Sequence, residues 1–186
     1  MADVSNSTLL QQIEGIQHVK DAFVILVKTE WNAAIVDELE RGCMGILKSC
    51  GVRFKTIVVP GAVEIPFAIQ QCQAHNNEVA AFIALGCVIR GGTPHFEYVC
   101  QSVTNGITQL NVKLSVPVIF GVLTLDSIEQ AQERIGGKHG HKGEEAALTA
   151  LKMILVNRAI TRGKLWYACA AFHTVFCRPV VSNHGF

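Results

Sequence analysis

The chain has 186 residues, 49% of them hydrophobic, and sets 16 Lys and Arg against 15 Asp and Glu for a net charge of +1. That is enough length for one domain with a real core, and the near-neutral balance argues against a disordered chain and a general nucleic-acid binder. No apolar run reaches the roughly 20 residues of a membrane span, and no basic segment with an apolar core marks a signal peptide, so a soluble cytoplasmic protein is expected.

Residues 1–20 are polar and mixed, anchored only by Leu9, Leu10, Ile13 and Ile16, and read as an N-terminal arm. The first strand, Ala22 to Val27, is apolar on both faces, as a central parallel strand is. A helix follows with Ile35, Leu39, Cys43, Ile46, Leu47 and Cys50 on one stripe, and Gly51 stops it. The second strand, Phe54 to Val59, closes at Pro60-Gly61-Ala62-Val63-Glu64-Ile65-Pro66, and a helix runs from there to about His75. The apolar run from Ala81 to Ile89 is a third strand, buried throughout. After the Gly91-Gly92 pair, Thr93 suits an N-cap and Pro94 the first helical position. Phe96, Val99, Val103, Ile107 and Leu110 then recur at helical spacing.

A fourth strand, Val116 to Leu123, ends in Thr124-Leu125-Asp126-Ser127, where Asp126 with Glu129 resembles a capping box for a short helix to Arg134. The glycine-rich stretch 136–143 reads as a loop into a last helix carrying Leu148, Leu151, Leu155 and Ala159. Beyond Thr161 the pattern dissolves. The segment 162–186 holds Trp166, Tyr167, Phe172 and Phe176 without periodicity, and both a docked extension and a loosely ordered tail stay open. The seven cysteines are odd in number and fall mostly within predicted elements, so reduced thiols are expected rather than a disulfide framework.

Strands alternating with helices at about thirty-residue intervals predict βαβ units with right-handed crossovers. The expected fold is a three-layer α/β/α domain over residues 21–161, with a flavodoxin-like parallel sheet of about four strands. The carboxyl ends of its strands gather Trp31, Asn32, Glu64 and the segment Cys87 to His95 along one edge, where open α/β sheets bind ligands. Backbone N–H groups of Gly91, Gly92 and Thr93 offer an anion site. The positive end of the helix favours a neutral His95 able to accept a proton. By residue pattern alone, a solvated helix-start histidine is the commoner reading of His95.

Longer motifs narrow the choice. Trp31-Asn32, the run Val59 to Pro66, the run Ala84 to Val99, Pro117 to Thr124, Glu129 to Arg134 and Lys142-Gly143 follow one another in a fixed order. That order resembles the 6,7-dimethyl-8-ribityllumazine synthase family over roughly residues 20 to 160. The resemblance implies the penultimate step of riboflavin synthesis. In it, 5-amino-6-(D-ribitylamino)uracil condenses with 3,4-dihydroxy-2-butanone 4-phosphate, releasing phosphate and water, without metal or organic cofactor. It implies His95 as the proton-transfer residue and Trp31 stacked on the pyrimidine, with Phe120 of a neighbouring subunit. Asn32 and Glu64 would bind the ribityl chain, and Ala62, Val63, Cys87, Val88 and Ile89 would contact the substrate mainly through backbone. Gly92 and Thr93 would hold the phosphate, with Arg134 and Lys142 contributed by the neighbour.

The resemblance further implies a homo-pentamer, with twelve pentamers in a 60-subunit shell as one outcome, and it allows riboflavin synthase as a partner. The short segment from Arg134 to Gly143 favours the shell form. Glu30 stands where many relatives carry arginine, and Cys87 where threonine is common. The alternative reading is a non-catalytic flavodoxin-like module that binds phosphate or flavin, or a shell-forming protein without activity. His139 and His141 in a glycine-rich loop lack the partners of a metal site.

Overall fold

The computed structural model describes residues 19–162, so the arm up to residue 18 and the tail from residue 163 lie outside the described residues. The elements are β1 (Phe23–Thr29), α1 (Ala33–Ser49), β2 (Arg53–Val59), a 3-10 turn (Ala62–Glu64), α2 (Ile65–His75), β3 (Val79–Ile89), α3 (His95–Lys113) and β4 (Val118–Leu125). They continue with α4 (Ile128–Gln132), β5 (Ile135–Gly137), β6 (Gly140–His141) and α5 (Lys142–Thr161). β1 to β4 form one parallel sheet in the order β2-β1-β3-β4. This is the expected three-layer α/β/α, flavodoxin-like arrangement. The strand order reverses between β1 and β3, and the crevice outside their carboxyl ends is the topological switch point.

Alternation along the central strands builds two cores. Val24 and Leu26 of β1, with Ala81, Ile83 and Leu85 of β3, face α1 and α5. Ile25 and Val27, with Phe82 and Ala84, face α2 and α3 through Ile65, Ile69, Val103 and Ile107. Both faces of β1 and β3 are therefore dry, which is why these strands read as continuous apolar runs. β2 sits at one edge, and its charged Arg53 and Lys55 are exposed there, a composition that discourages edge-to-edge pairing.

Several boundaries differ from expectation for identifiable reasons. Strand β4 starts at Val118, not Val116. Pro117 has no N–H to give the ladder, though its carbonyl accepts from Phe82 N at 2.9 Å. Asn111 of α3 seals that start, with Nδ2 donating to Val118 O at 2.8 Å and Oδ1 accepting from Val118 N at 2.9 Å. The expected capping box of Asp126 with Glu129 does not form at the start of α4. Ser127 is the N-cap, and Gln130 Oε1 reaches back to Asp126 N at 3.0 Å. Thr93 does not cap α3; Pro94 occupies that position, without a side-chain cap.

The stretch 136–143 is no loop but a small hairpin of β5 and β6, followed by α5 starting at Lys142. The buried stripe of α5 is Ala146, Ala147, Ala150, Leu151 and Ile154 rather than the expected leucine series, of which only Leu151 is fully buried. Small residues dominate because α5 lies very close to α1. A Cβ on Gly143 would stand 2.1 Å from Leu39 O, and one on Gly42 2.2 Å from the His141 ring. The cysteines 43, 50, 72, 87 and 100 are free thiols, and Cys169 and Cys177 lie outside the described residues.

Candidate active site

The carboxyl end of β1 is tied to both neighbouring strands. Glu30 N donates to Val59 O at 2.9 Å and Trp31 N to Pro60 O at 3.3 Å, fastening the turn to the exit of β2. The Asn32 amide nitrogen donates to Cys87 O of β3 at 2.8 Å, bridging the switch point. Asn32 is left-handed, at φ 57° and ψ 40°, and its carbonyl accepts from Ile35 N and Val36 N at the start of α1. Asparagine tolerates that conformation better than most residues. The outcome is a rigid turn from which Trp31 projects with 73% of its surface exposed. A large aromatic held open on a fixed backbone is suited to stacking on a planar ligand.

Around this turn stand the other sequence-predicted residues. Ala62, Val63 and Glu64 form the 3-10 turn after β2, with Glu64 N donating to Gly61 O at 3.3 Å and the side chains of Val63 and Glu64 exposed. A Cβ at Gly61 would approach Glu64 Oε2 to 3.0 Å, so glycine there leaves room for the carboxylate. Cys87, Val88 and Ile89 end β3, with Cys87 buried and the other two half-buried. Burial pushes the Cys87 thiol up to about 11. That keeps it protonated at neutral pH and inert as a nucleophile. Gly92 and Thr93 are exposed, nothing lies within 4 Å of a Cβ placed on Gly92, and His95 is the exposed first residue of α3. Trp31, Asn32, Ala62 to Glu64, Cys87 to Ile89 and Gly92 to His95 thus share one sheet edge.

Three predicted residues stand elsewhere in the chain. Phe120 is half-buried in the edge strand β4, paired with Ala84, so it lies about 10 Å back from Cys87 along the sheet. Arg134 and Lys142 flank the hairpin on the side of α1 and α5, where Lys142 N donates to Arg134 O at 2.8 Å. Arg134 Nη1 donates to Gln130 O at 2.8 Å, and Glu133 lies 3.7 Å away. Lys142 is only 5% exposed, and its ammonium donates to both oxygens of Glu145 at 2.8 and 2.9 Å.

Glu145 carries no role in the sequence reading, although its spacing three residues from Lys142 on a helix was available as a signal. Thr29 was also missed: it is buried, and its hydroxyl donates to Trp31 O at 3.2 Å, bracing the aromatic from below. Among the described residues no group of three or more His, Cys, Asp or Glu is placed to hold a metal ion, and no helix is long and apolar enough to cross a membrane.

Comparison with known proteins matches this arrangement to one family. The family model described as 6,7-dimethyl-8-ribityllumazine synthase matches residues 21–158. A protein of that name from Porphyromonas gingivalis is 50% identical over 148 residues, covering 78% of this chain and 91% of the relative. Relatives of the same name from Parabacteroides distasonis and Bacteroides fragilis are 47% and 46% identical over 132 residues, 69% of this chain and 82% and 92% of theirs. The matched span runs from the first strand nearly to the end of α5 and includes every residue of the edge from Trp31 to His95, so the chain belongs to the 6,7-dimethyl-8-ribityllumazine synthase family.

Proposed function

We propose that the edge from Trp31 to His95 is the half of the active site this chain supplies to its own sheet, and that Phe120, Arg134 and Lys142 serve a neighbouring subunit. Family membership makes the chain a transferase of riboflavin biosynthesis that works on small molecules. The observation that supports the site is the Asn32 to Cys87 bridge across the switch point, which fixes the turn from which the exposed Trp31 projects.

On this reading 5-amino-6-(D-ribitylamino)uracil lies on Trp31. Its ring contacts backbone groups of Ala62, Val63, Cys87, Val88 and Ile89, and its ribityl hydroxyls donate to Glu64, with Asn32 alongside. The phosphate of 3,4-dihydroxy-2-butanone 4-phosphate sits on the N–H groups of Gly92 and Thr93, with Arg134 of a neighbour supplying a planar, charged fork. The amine of the uracil attacks the ketone to give an imine with loss of one water, phosphate is eliminated, and the second nitrogen attacks the carbonyl so formed and closes the ring with loss of a second water. Each stage moves a proton, and on this reading His95 takes and returns it. Holding two reactants together accounts for much of the remaining acceleration.

A homo-pentamer closes such a ring of head-to-tail interfaces, and twelve pentamers in a 60-subunit shell is the further assembly proposed. Incubating the full-length protein with both substrates is expected to produce the lumazine chromophore; no chromophore would overturn the reading. The non-catalytic alternative is not favoured, because relatives 50% and 47% identical over this span bear the synthase name.

A further inference from the structure

Arg90 takes no part in the contacts and proton steps described above, yet it makes several connections beside them. It follows β3 directly, and its N–H donates to Leu125 O at 2.8 Å, extending the junction with β4 by one step. Nε donates to Asp126 Oδ1 at 2.7 Å, in the turn after β4. Nη1 donates to the Glu97 carboxylate, and the guanidinium carbon lies 4.2 Å from the centre of the Phe96 ring. Phe96 and Glu97 are the two residues after His95 in the first turn of α3. One side chain therefore joins the end of β4 to the turn that carries the histidine.

Within the turn itself one backbone bond is made, Glu97 N to Pro94 O at 3.1 Å. The N-cap, Pro94, offers no side-chain hydrogen bond, and nothing lies within 4 Å of a Cβ on Gly91 or Gly92. An isolated exposed ion pair would contribute little. A guanidinium differs: its planar fork sets the direction of each bond, two carboxylates on separate elements share it, and the aromatic face fixes its plane.

We propose that Arg90 is a positioning residue for His95, clasping the first turn of α3 to the β4 exit so that the imidazole is presented at a fixed place beside the Gly91 to Thr93 turn. The proposal rests on the reading of His95 as the proton-transfer group. It also gives the arginine nearest the glycine turn a structural task, with its Nε and Nη1 bonds made to carboxylates of its own chain.

The test uses full-length wild type with Arg90→Met, Arg90→Lys and Asp126→Asn. Steady-state rates are measured against each substrate, and amide hydrogen exchange of the segment 94–99 is measured without substrate. Arg90→Met is expected to lower kcat on the order of tenfold with both KM values nearly unchanged. Exchange in 94–99 is expected to speed up while α1 and α5 keep wild-type protection. Asp126→Asn moves both readouts the same way by less, and serves if Arg90→Met does not fold. Arg90→Lys restores only part of kcat, because an ammonium lacks the planar fork.

Unchanged kcat and exchange would overturn the proposal. So would a rise confined to the KM of the phosphorylated ketone, which would make Arg90 a phosphate ligand. Faster exchange across the whole chain would make it a general stability residue instead, and equally sink the idea. A wild type that forms no lumazine would overturn the functional reading, and the exchange of 94–99 in the variants would then judge the clasp on its own.

Discussion

Asn32 carries two tasks in one residue: a left-handed backbone that turns the chain from β1 into α1, and an amide that holds Cys87 O. Replacing it with alanine removes the bond and leaves a Cβ residue in a conformation that costs roughly 1–2 kcal/mol. Urea unfolding is expected to show a loss of about 1–3 kcal/mol for Asn32→Ala. Asn32→Gly loses less, since glycine keeps the turn. Equal losses would show that the backbone conformation is not the constraint. At His95, alanine is expected to slow lumazine formation by about 10²- to 10⁴-fold, nearer the lower figure, without disturbing folding; unchanged turnover at saturating substrate would remove it from the mechanism. Arg134→Ala is expected to raise the KM of the phosphorylated ketone far more than that of the uracil. Equal changes in both KM values would count against a phosphate role.

Among the elements, α1 and α5 show how composition follows from distance. Gly143 and Gly42 let the two helices approach until backbone meets backbone and the His141 ring fits beneath α1. Cys43 completes the contact, its thiol donating to Gly143 O at 2.9 Å, and burial pushes that thiol up to about 12. Gly143→Ala is expected to cost about 1–3 kcal/mol in a denaturant titration, since a methyl group has to displace Leu39. Gly45→Ala in the same α1 meets nothing within 4 Å, and is expected to stabilise by about 0.5–1 kcal/mol through helix propensity alone. Two glycines, one packed in the contact of α1 with α5 and one exposed on α1, thus have opposite expected signs.

For the whole molecule, charge sets the pH range of stability. Hydrogen bonds from Arg158 to Asp21, from Arg90 to Glu97, from Ser127 to Glu129 and from Lys138 to Glu133 hold these carboxyls below their ordinary values of 3.8 for Asp and 4.5 for Glu. The folded chain then binds their protons less tightly than the unfolded one. Their contribution is present above the ordinary values and is lost as pH falls through the folded ones. Cys43 and Cys87 act in the opposite sense. Raised from 9.0 to about 12 and about 11, they contribute fully below pH 9.0 and lose that contribution as pH rises through the folded values. The thermal midpoint is expected to be flat between about pH 5 and 9 and to fall on both sides; a midpoint still rising below pH 4 would contradict the assignment. Assembly belongs to the same scale. Analytical ultracentrifugation of the full chain and of a chain ending at Thr161 is expected to show shells built of pentamers. Pentamers alone from both would remove the shell, and pentamers only with the tail present would make the tail their cause.

How much of this was legible beforehand depended on the range of the interactions involved. The parallel strands, their order of appearance and the placing of Trp31, Glu64 and His95 at strand exits follow from local features: apolar runs buried on both faces, glycine and proline at turns, and helical spacing after Pro94. Where an element is too short to carry a period, the sequence was silent. The hairpin of β5 and β6 has strands of three and two residues, and the α4 cap was displaced by one position because Asp126 and Ser127 are both good caps. Other features come into being only when distant segments meet. Alanine reads as neutral until Gly42 brings α1 against α5, and the pairing of Lys142 with Glu145 emerges only when the fold buries both. Asn32 stands at a strand exit in the sequence, and its amide finds its partner only when Cys87, 55 residues further on, offers a carbonyl. Sequence alone determined which residues line the edge, because backbone preferences are local. The tertiary structure decided how they are held, because the carbonyls, carboxylates and aromatic face that orient them belong to other strands and helices.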